Sequence, residues 1–330
     1  MSNEIEKAYI NAFKGGVEQA FQQTVSKFRG VVETGSQASE FDYEDRIGLA
    51  DDMNEVNTRY GVNPMNDVPH DRRRTSLRDW DWGKPIDEKD LVRVATDPTN
   101  AYMQAGMSAA NRKMDDVIIA GLTAPAYTGK EGENTVNFVG TTADKVTIGA
   151  VSNQAGHIVA DSRYAVTAGL NEGIDVNVSF GAASSGTAQG LTLKKLKVVK
   201  ETFMGTLALD QRDVPMINAF ISRRQWDDLL NINEIVNNDF AMKGRLERLE
   251  VVEWGGFRFQ ISERLTKTGN NRNCLFFMPK AGKLKFSQDI TANMWRLPDR
   301  KNIPYIYIKM GFGMTRMWGE CLARVSCVEA

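Results

Sequence analysis

Apolar positions recur at steps of three and four from Tyr102 onward, where Tyr102, Gly106, Ala110, Met114, Val117, Ile118 and Gly121 make one stripe. That period belongs to a helix burying one face. Asp97 suits its N-cap, Pro98 its first turn and Gly121 its C-terminal cap, so the spacing predicts a spine helix over 98–121. About 24 residues at ~1.5 Å each give a rod of roughly 36 Å. Its first half is rich in small residues (Ala101, Ala105, Gly106, Ala109, Ala110) and calls for a closely packed partner, expected to be a sheet.

The flanking text is different. Residues 1–33 have a mostly helical spacing (Ile5, Ala8, Tyr9, Ala12, Phe13, Val17, Phe21, Phe28) broken by Gly15-Gly16, which reads as two short helices or a bent arm. An arm folded on its own domain and an arm reaching a neighbour weigh equally. From Ser36 to Asp90 the apolar residues (Phe41, Tyr43, Ile47, Tyr60, Leu77, Trp80, Trp82, Ile86) are scattered through a polar run. They are too few to form a core, so order there is expected to come from another molecule. The Asn63-Pro64, Asn66-Asp67 and Val68-Pro69 punctuation, between Glu55–Tyr60 and Arg72–Leu77, predicts a long hairpin loop. A loop of this length inside a compact domain is unusual and points to a role between molecules.

Residues 124–189 turn to Gly, Thr, Asn, Ser and Val with short alternating runs, including Ile174, Val176, Val178 and Phe180. Period two predicts a half-buried strand there, and the block reads as a small β-rich lobe inserted between two helices. Leu191, Leu193, Leu196, Val199 and Phe203 predict a second helix bounded by Gly190 and Gly205. Pro215 to Ile221 predicts a buried strand, and Ser222-Arg223-Arg224-Gln225 a capping box opening a short helix with Trp226, Leu229 and Leu230. Val251 to Ile261 turns at Gly255-Gly256; Cys274 to Met278, Ile303 to Met310 and Cys321 to Val328 are strand-like, the last two around Gly311-Phe312-Gly313. Helices and strands mix without a βαβ rhythm, which favours an α+β fold.

Composition narrows the function. The 330 residues are 42% hydrophobic and 25% charged with a formal net charge of -1, so no global field draws the chain to nucleic acid or membrane. Near-neutrality also suits a container, because a strongly basic lining would hold packaged nucleic acid through many phosphate contacts. Cys274, Cys321 and Cys327 form no CxxC pair and read as small buried hydrophobes. No signal-peptide h-region and no apolar run near 18 residues is present, so a membrane span is not expected and synthesis in a cytosol is. His70 and His157 are the only histidines: no histidine metal cluster and no well-placed Ser/His/Asp triad follows, and GxxxxGK[ST], GxSxG, HExxH and GxGxxG are all absent. No catalytic residue, cofactor or metal is expected. The Asp51-Asp52, Asp115-Asp116 and Asp227-Asp228 pairs read as solvated faces, since adjacent helical residues point apart. Trp80 and Trp82 share one face of an extended segment and could anchor an interface, whereas Trp226, Trp254, Trp295 and Trp318 read as core.

The order of parts, with Arg59-Tyr60-Gly61, Asn66-Asp67, Arg72-Arg73-Arg74, Asp79-Trp80 and Ile86-Asp87-Glu88-Lys89-Asp90 leading into the spine helix, resembles a tailed-phage major capsid protein of the Hong Kong 97-like fold. It is most similar to the second phage-capsid family, found in short-tailed phages. Ile221 to Leu230, Gly256-Phe257-Arg258-Phe259, Ser262 to Leu265 and Gly313 to Trp318 fit the same family. The resemblance implies an N-terminal arm (1–34), an extended hairpin (35–92), a peripheral domain (93–123, 190–207 and 302–330), a β-rich insertion (124–189) and an axial domain (208–301). It implies a subunit that assembles into hexamers and pentamers of an icosahedral shell enclosing double-stranded DNA, in a virion assembled in the bacterial host cytoplasm. The implied partners are further copies of itself, a separate scaffolding protein and a portal protein, with a decoration protein left open. Expected inter-subunit contacts are Tyr60, Arg72, Arg73, Arg74, Trp80, Trp82, Phe13 and Phe21; Tyr102, Met114 and Ile118 are expected in spine-helix packing. The alternative from another class is a cytosolic α+β enzyme with 35–92 as a mobile lid and an acid near Asp115 or Asp210. A sequence-independent nucleic-acid binder using Arg72 to Arg74 is a third reading.

Overall fold

The computed structural model describes residues 22–47, 53, 55, 65, 68, 70–86, 99–138, 146–149, 164–167, 171–180, 188–207, 215–232 and 253–329. Among them, no helix is long and apolar enough to cross a membrane.

The long helix spans Thr99–Thr123 and buries Met114, Ile118, Ile119 and Leu122 against the strand Ile303–Arg316. Its small residues are there for close approach. The space a side chain would need at Gly106 is filled by Ile308 and Trp82, and at Gly121 by Met314. Gly121 is therefore not the C-cap expected from its type. The helix runs two residues further and stops before Pro125, whose ring disfavours helical geometry in the preceding residue. Asp97 and Pro98 lie outside the described residues.

Beneath this helix is a sheet of four strands in the order Glu33–Ser36, Gly282–Leu297, Ile303–Arg316, Arg78–Pro85. The middle two form one long antiparallel hairpin, turned by Lys301 and Asn302 in the left-handed region (φ 54° and 58°). Gly311 and Gly313, read above as a break between strands, lie inside this strand. They leave room for Ser287 and Asp79 at the first position and for the Ser76 carbonyl at the second. Trp295, expected in the core, is exposed on the same hairpin and packs on Tyr305 and Tyr307 at 5.8 and 5.2 Å.

The strand Arg78–Pro85 pairs from Arg78↔Phe312 to Pro85↔Tyr305. Part of the segment expected to need another molecule is thus ordered by its own chain. Its partner is far downstream, which is why no local reading finds it.

A sheet of nine strands forms the second layer. Its main path runs Glu253–Trp254, Phe257–Ile261, Ile217–Ile221, Asn271–Phe277, Leu322–Val328, Ile174–Val176, Val146–Gly149, Tyr164–Thr167. Ile217–Ile221 is buried throughout, and Gly255 and Gly256 turn the first pair with positive φ. The helix Leu193–Leu207 buries Leu196, Val199 and Phe203. It continues past Gly205, and the Thr192 hydroxyl at its start accepts the Lys195 N–H at 3.4 Å. The helix Arg223–Leu230 begins after Ser222 without a side-chain cap from it; its first N–H donates to Glu263 at 2.7 Å.

The third sheet has five strands: Phe41–Ile47, His70–Ser76, Ala126–Thr128, Asn134–Phe138 and Asn171–Glu172. The described strands of the 124–189 block do not form a sheet of their own. Some of its strands extend this sheet and the others extend the nine-stranded one. The strand Ile174–Val176 is buried on every residue because it lies between two partners; Asp175 tolerates that position through a bidentate pair with Arg324, at 2.7 and 3.1 Å. Strand pairing also redraws the boundaries expected from the family likeness. Gly282–Leu297, assigned above to the axial part, belongs under the long helix, and Leu322–Val328, assigned to the peripheral part, is central to the nine-stranded sheet.

Candidate functional site at the base of the hairpin

Phe41–Ile47 and His70–Ser76 pair antiparallel, with Tyr43 opposite Arg74, Glu44 opposite Arg73 and Asp45 opposite Arg72. Side chains alternate across a strand, so the three consecutive arginines divide between two faces.

Arg73 points inward and is fully buried. Its guanidinium pairs with Glu172, and the same carboxylate oxygen accepts from Arg46 at 2.8 Å. Arg46 also donates to Asp71 at 2.8 Å and to the Met317 carbonyl at 2.8 Å, and lies 5.0 Å over the Trp318 ring. Arg316 completes the group. Its Nε is 3.6 Å from Glu172, and its amino groups donate to the carbonyls of Leu122 (3.1 Å), Ala124 (2.6 Å) and Val136 (2.9 Å). A cation thus satisfies carbonyls at the C-terminal end of the long helix, where the helix dipole is negative. Glu320 is buried nearby, and that burial, reinforced by Glu172, holds its carboxyl above the usual glutamate range. Burial works against the charge on Arg73 and Arg316 and lowers both.

This cluster joins the hairpin, the strand Asn171–Glu172 and the strand ending at Arg316. Sequence reasoning missed Arg46, Glu172, Arg316 and Glu320 because no spacing links them; the available cue was a charged Arg316 inside an apolar run. It also placed Arg73 at a neighbour, whereas the side chain is internal, since one strand face is turned into the subunit.

Arg72 and Arg74 occupy the outer face. Arg72 pairs with Asp45 at 2.6 Å, and Arg74 lies between the rings of Phe41 and Tyr127 at 5.0 and 4.6 Å. Lys285, itself buried, fastens this strand pair to the four-stranded sheet through Asp42 and through Glu44 at 2.5 Å. The face shared by Trp80 and Trp82 is turned to the subunit's own long helix: Lys113 Nζ is 4.0 Å from the Trp80 ring, and Trp82 fills the space at Gly106. Tyr102 lies on the same helix with Lys84 Nζ 5.7 Å above its ring, while Met114 and Ile118 are fully buried. Tyr60, Phe13 and Phe21 lie outside the described residues.

Asp115, read above as a solvated acid, is buried. It accepts from Ser26 Oγ (2.5 Å), Gln23 Nε2 (2.5 Å) and the N–H groups of Lys27 (3.2 Å) and Phe28 (3.3 Å). These bonds hold the chain before the first strand on its own subunit, where Phe28 stacks 3.7 Å from Phe220. The carboxylate is thus an anchor for the arm, not an acid facing a pocket. Asp210 lies outside the described residues, and among the described residues no group of His, Cys, Asp and Glu could hold a metal ion.

Solved structures similar to this chain are capsid subunits. The capsid structure of cyanophage P-SCSP1u matches over 100% of this chain and 97% of that one, with a TM-score of 0.66 at 14% identity. The cyanophage Pam1 capsid matches over 97% of each chain, with a TM-score of 0.66 at 11% identity. The capsid of a native GTA particle matches over 99% of this chain and 98% of that one, with a TM-score of 0.62 at 11% identity. At these identities the likeness is one of fold, the Hong Kong 97-like α+β fold. No curated protein is significantly similar in sequence. The family model described as phage capsid protein matches residues 5–329, nearly the whole of a chain whose buried charges fasten structural elements together: the chain belongs to the phage capsid protein family.

Proposed function

We infer that, as a member of that family, the chain is a structural component of a capsid shell rather than an enzyme. We propose that it is the repeating major subunit, assembling into hexamers and pentamers of an icosahedral shell that encloses double-stranded DNA. Assembly takes place in the bacterial host cytoplasm with a scaffolding protein and a portal protein. In this reading the part of 35–92 that continues beyond the strand pair Phe41–Ile47 and His70–Ser76 reaches over a neighbour, residues 1–34 form the arm, and the nine-stranded sheet meets its copies around the capsomer axis.

One observation carries the reading. The hairpin is fastened at its base by a buried ion cluster, while apolar side chains beyond the base (Ile47, Met53 and Met65) are exposed, the last two at 98% and 97%. Exposed methionines between two strands that are fastened to the subunit fit a surface that is covered by a neighbour. Modest contacts of this kind become a stable shell because each subunit engages several others.

Negative-stain electron microscopy and sedimentation of the purified chain, with and without scaffolding protein, test this. Shells, sheets or capsomer rings are expected; a monodisperse monomer under both conditions would refute it. The Arg72→Glu/Arg74→Glu variant is expected to keep the wild-type circular dichroism spectrum and lose shell formation.

A further inference from the structure

The two faces of the hairpin Gly282–Leu297 and Ile303–Arg316 differ in kind. Ile306, Ile308 and Met310 are buried, with Ile308 filling the space at Gly106 of the long helix. The alternate residues Tyr305, Tyr307 and Lys309 turn to the other face. There Trp295 stands opposite Tyr305, Asn293 opposite Tyr307 and Thr291 opposite Lys309, while Asp81 of the strand Arg78–Pro85 stands opposite Lys309 from the other side. The three rings make one platform. Tyr305 and Tyr307 lie within 23° of parallel with centroids 6.3 Å apart, and Trp295 closes on them at 5.8 and 5.2 Å. Tyr305 lies down over Gly83, its hydroxyl occupying the place a side chain there would need. Trp295 is 42% exposed, and an aromatic cluster left open on a sheet face marks a binding surface.

Area and charge narrow the ligand. The three rings, none of them half exposed, offer at most about 300 Å², well short of the ~800 Å² that each side of a stable protein interface contributes. The ligand is therefore small. The rim is polar without net charge, since Lys309 is balanced by Asp81 and the remaining groups are the Asn293 amide and the Thr291 hydroxyl, so phosphates and acidic polymers are not drawn to it. A pyranose ring meets both conditions. Its face of C–H bonds suits the negative face of an aromatic ring, and its hydroxyls pair with amide, hydroxyl and carboxylate groups. We propose that Trp295, Tyr305 and Tyr307 form a carbohydrate-binding platform for a neutral oligosaccharide, with Asn293, Thr291 and Asp81 as partners for the sugar hydroxyls. The site lies within one chain and does not depend on the shell-subunit reading.

Saturation-transfer difference NMR on the purified full-length chain, with chitotetraose, cellotetraose and maltotetraose as probes, tests it. Transfer to the ring protons of at least one of these sugars is expected for the wild type, with at least a fivefold loss in Trp295→Ala at an unchanged circular dichroism spectrum. Thr291→Ala/Asn293→Ala, which keeps the rings, is expected to weaken transfer severalfold, and it decides the matter should Trp295→Ala fail to fold. No transfer to any of the three sugars, or equal transfer to the wild type and to the variant that decides, would overturn the proposal and leave the rings as a brace for the hairpin. Binding seen only with heparin and abolished by salt would overturn it too, because it would report cations and not the platform. A chain that never assembles would refute the shell-subunit reading and leave this result standing.

Discussion

At one side of the subunit Phe28 is stacked on the chain's own rings, 3.7 Å from Phe220 and 6.4 Å from Phe277. At another, Arg73 is equally buried but sits against Glu172. The nine-stranded sheet is held by apolar burial, which is tolerant of direction. The hairpin base is held by ion pairs that need particular atoms in place and that cost a great deal when one partner is removed. Nothing about a shell subunit requires charges in its interior for stability. Their use where the strands Phe41–Ile47 and His70–Ser76 join the rest of the subunit fits a need for a fixed strand direction, which rings do not impose.

The sharpest way to break the comparison is Glu172→Gln. It leaves Arg46, Arg73 and Arg316 without their shared carboxylate, and urea unfolding is expected to show a loss of about 3–5 kcal/mol. Phe28→Ala follows, at about 3–4 kcal/mol for a fully buried ring, with faster proteolysis of the arm before Glu33 as its signature. Gly313→Ala comes next: the new methyl group meets the Ser76 carbonyl, and about 1–3 kcal/mol of strain is expected, read as faster hydrogen exchange in Arg78–Pro85. The smallest effect is a pH slope. Burial works against the Glu329 charge, but Arg272, Ser222 and Lys267 outweigh it and hold the carboxyl at about 2, below the ordinary 4.5. Its contribution is present above pH 4.5 and is lost as pH falls toward 2. Glu320 has the opposite sign. Its raised value favours the protonated form in the fold, so that stability declines as pH rises through its folded value. Glu329→Gln is expected to flatten the acid limb of a stability–pH curve, and Glu320→Gln the alkaline one.

The local elements were largely legible in the amino-acid pattern. Ile217–Ile221, the helix after Ser222 and the turn at Gly255-Gly256 follow from the residue types of short local runs, whatever those runs pair with. The glycines were not legible in the same way. Gly121, Gly311 and Gly313 have the residue type of caps and breaks, but they serve close approach between elements distant in sequence. The hairpin base failed for the same reason: Glu172 and Arg316 are separated in the chain and joined only by tertiary structure. The strand alternation that hides Arg73 and exposes Arg72 and Arg74 depends on which face the sheet turns inward, and a run of three arginines carries no record of that.

Leu322–Val328 lies between Asn271–Phe277 and Ile174–Val176, and this has a kinetic consequence. The central slot of the largest sheet is filled by residues synthesised long after one of its neighbours. Until they emerge from the ribosome, two strand edges face each other across a gap, and closing it is a contact of long range, the kind that slows folding. A nascent subunit is therefore held back from its final shape while the chain is still being made, and open strand edges at that stage are where mispairing between chains begins. The late strand works as a timer, because the nine-stranded sheet cannot close before Leu322–Val328 has been made.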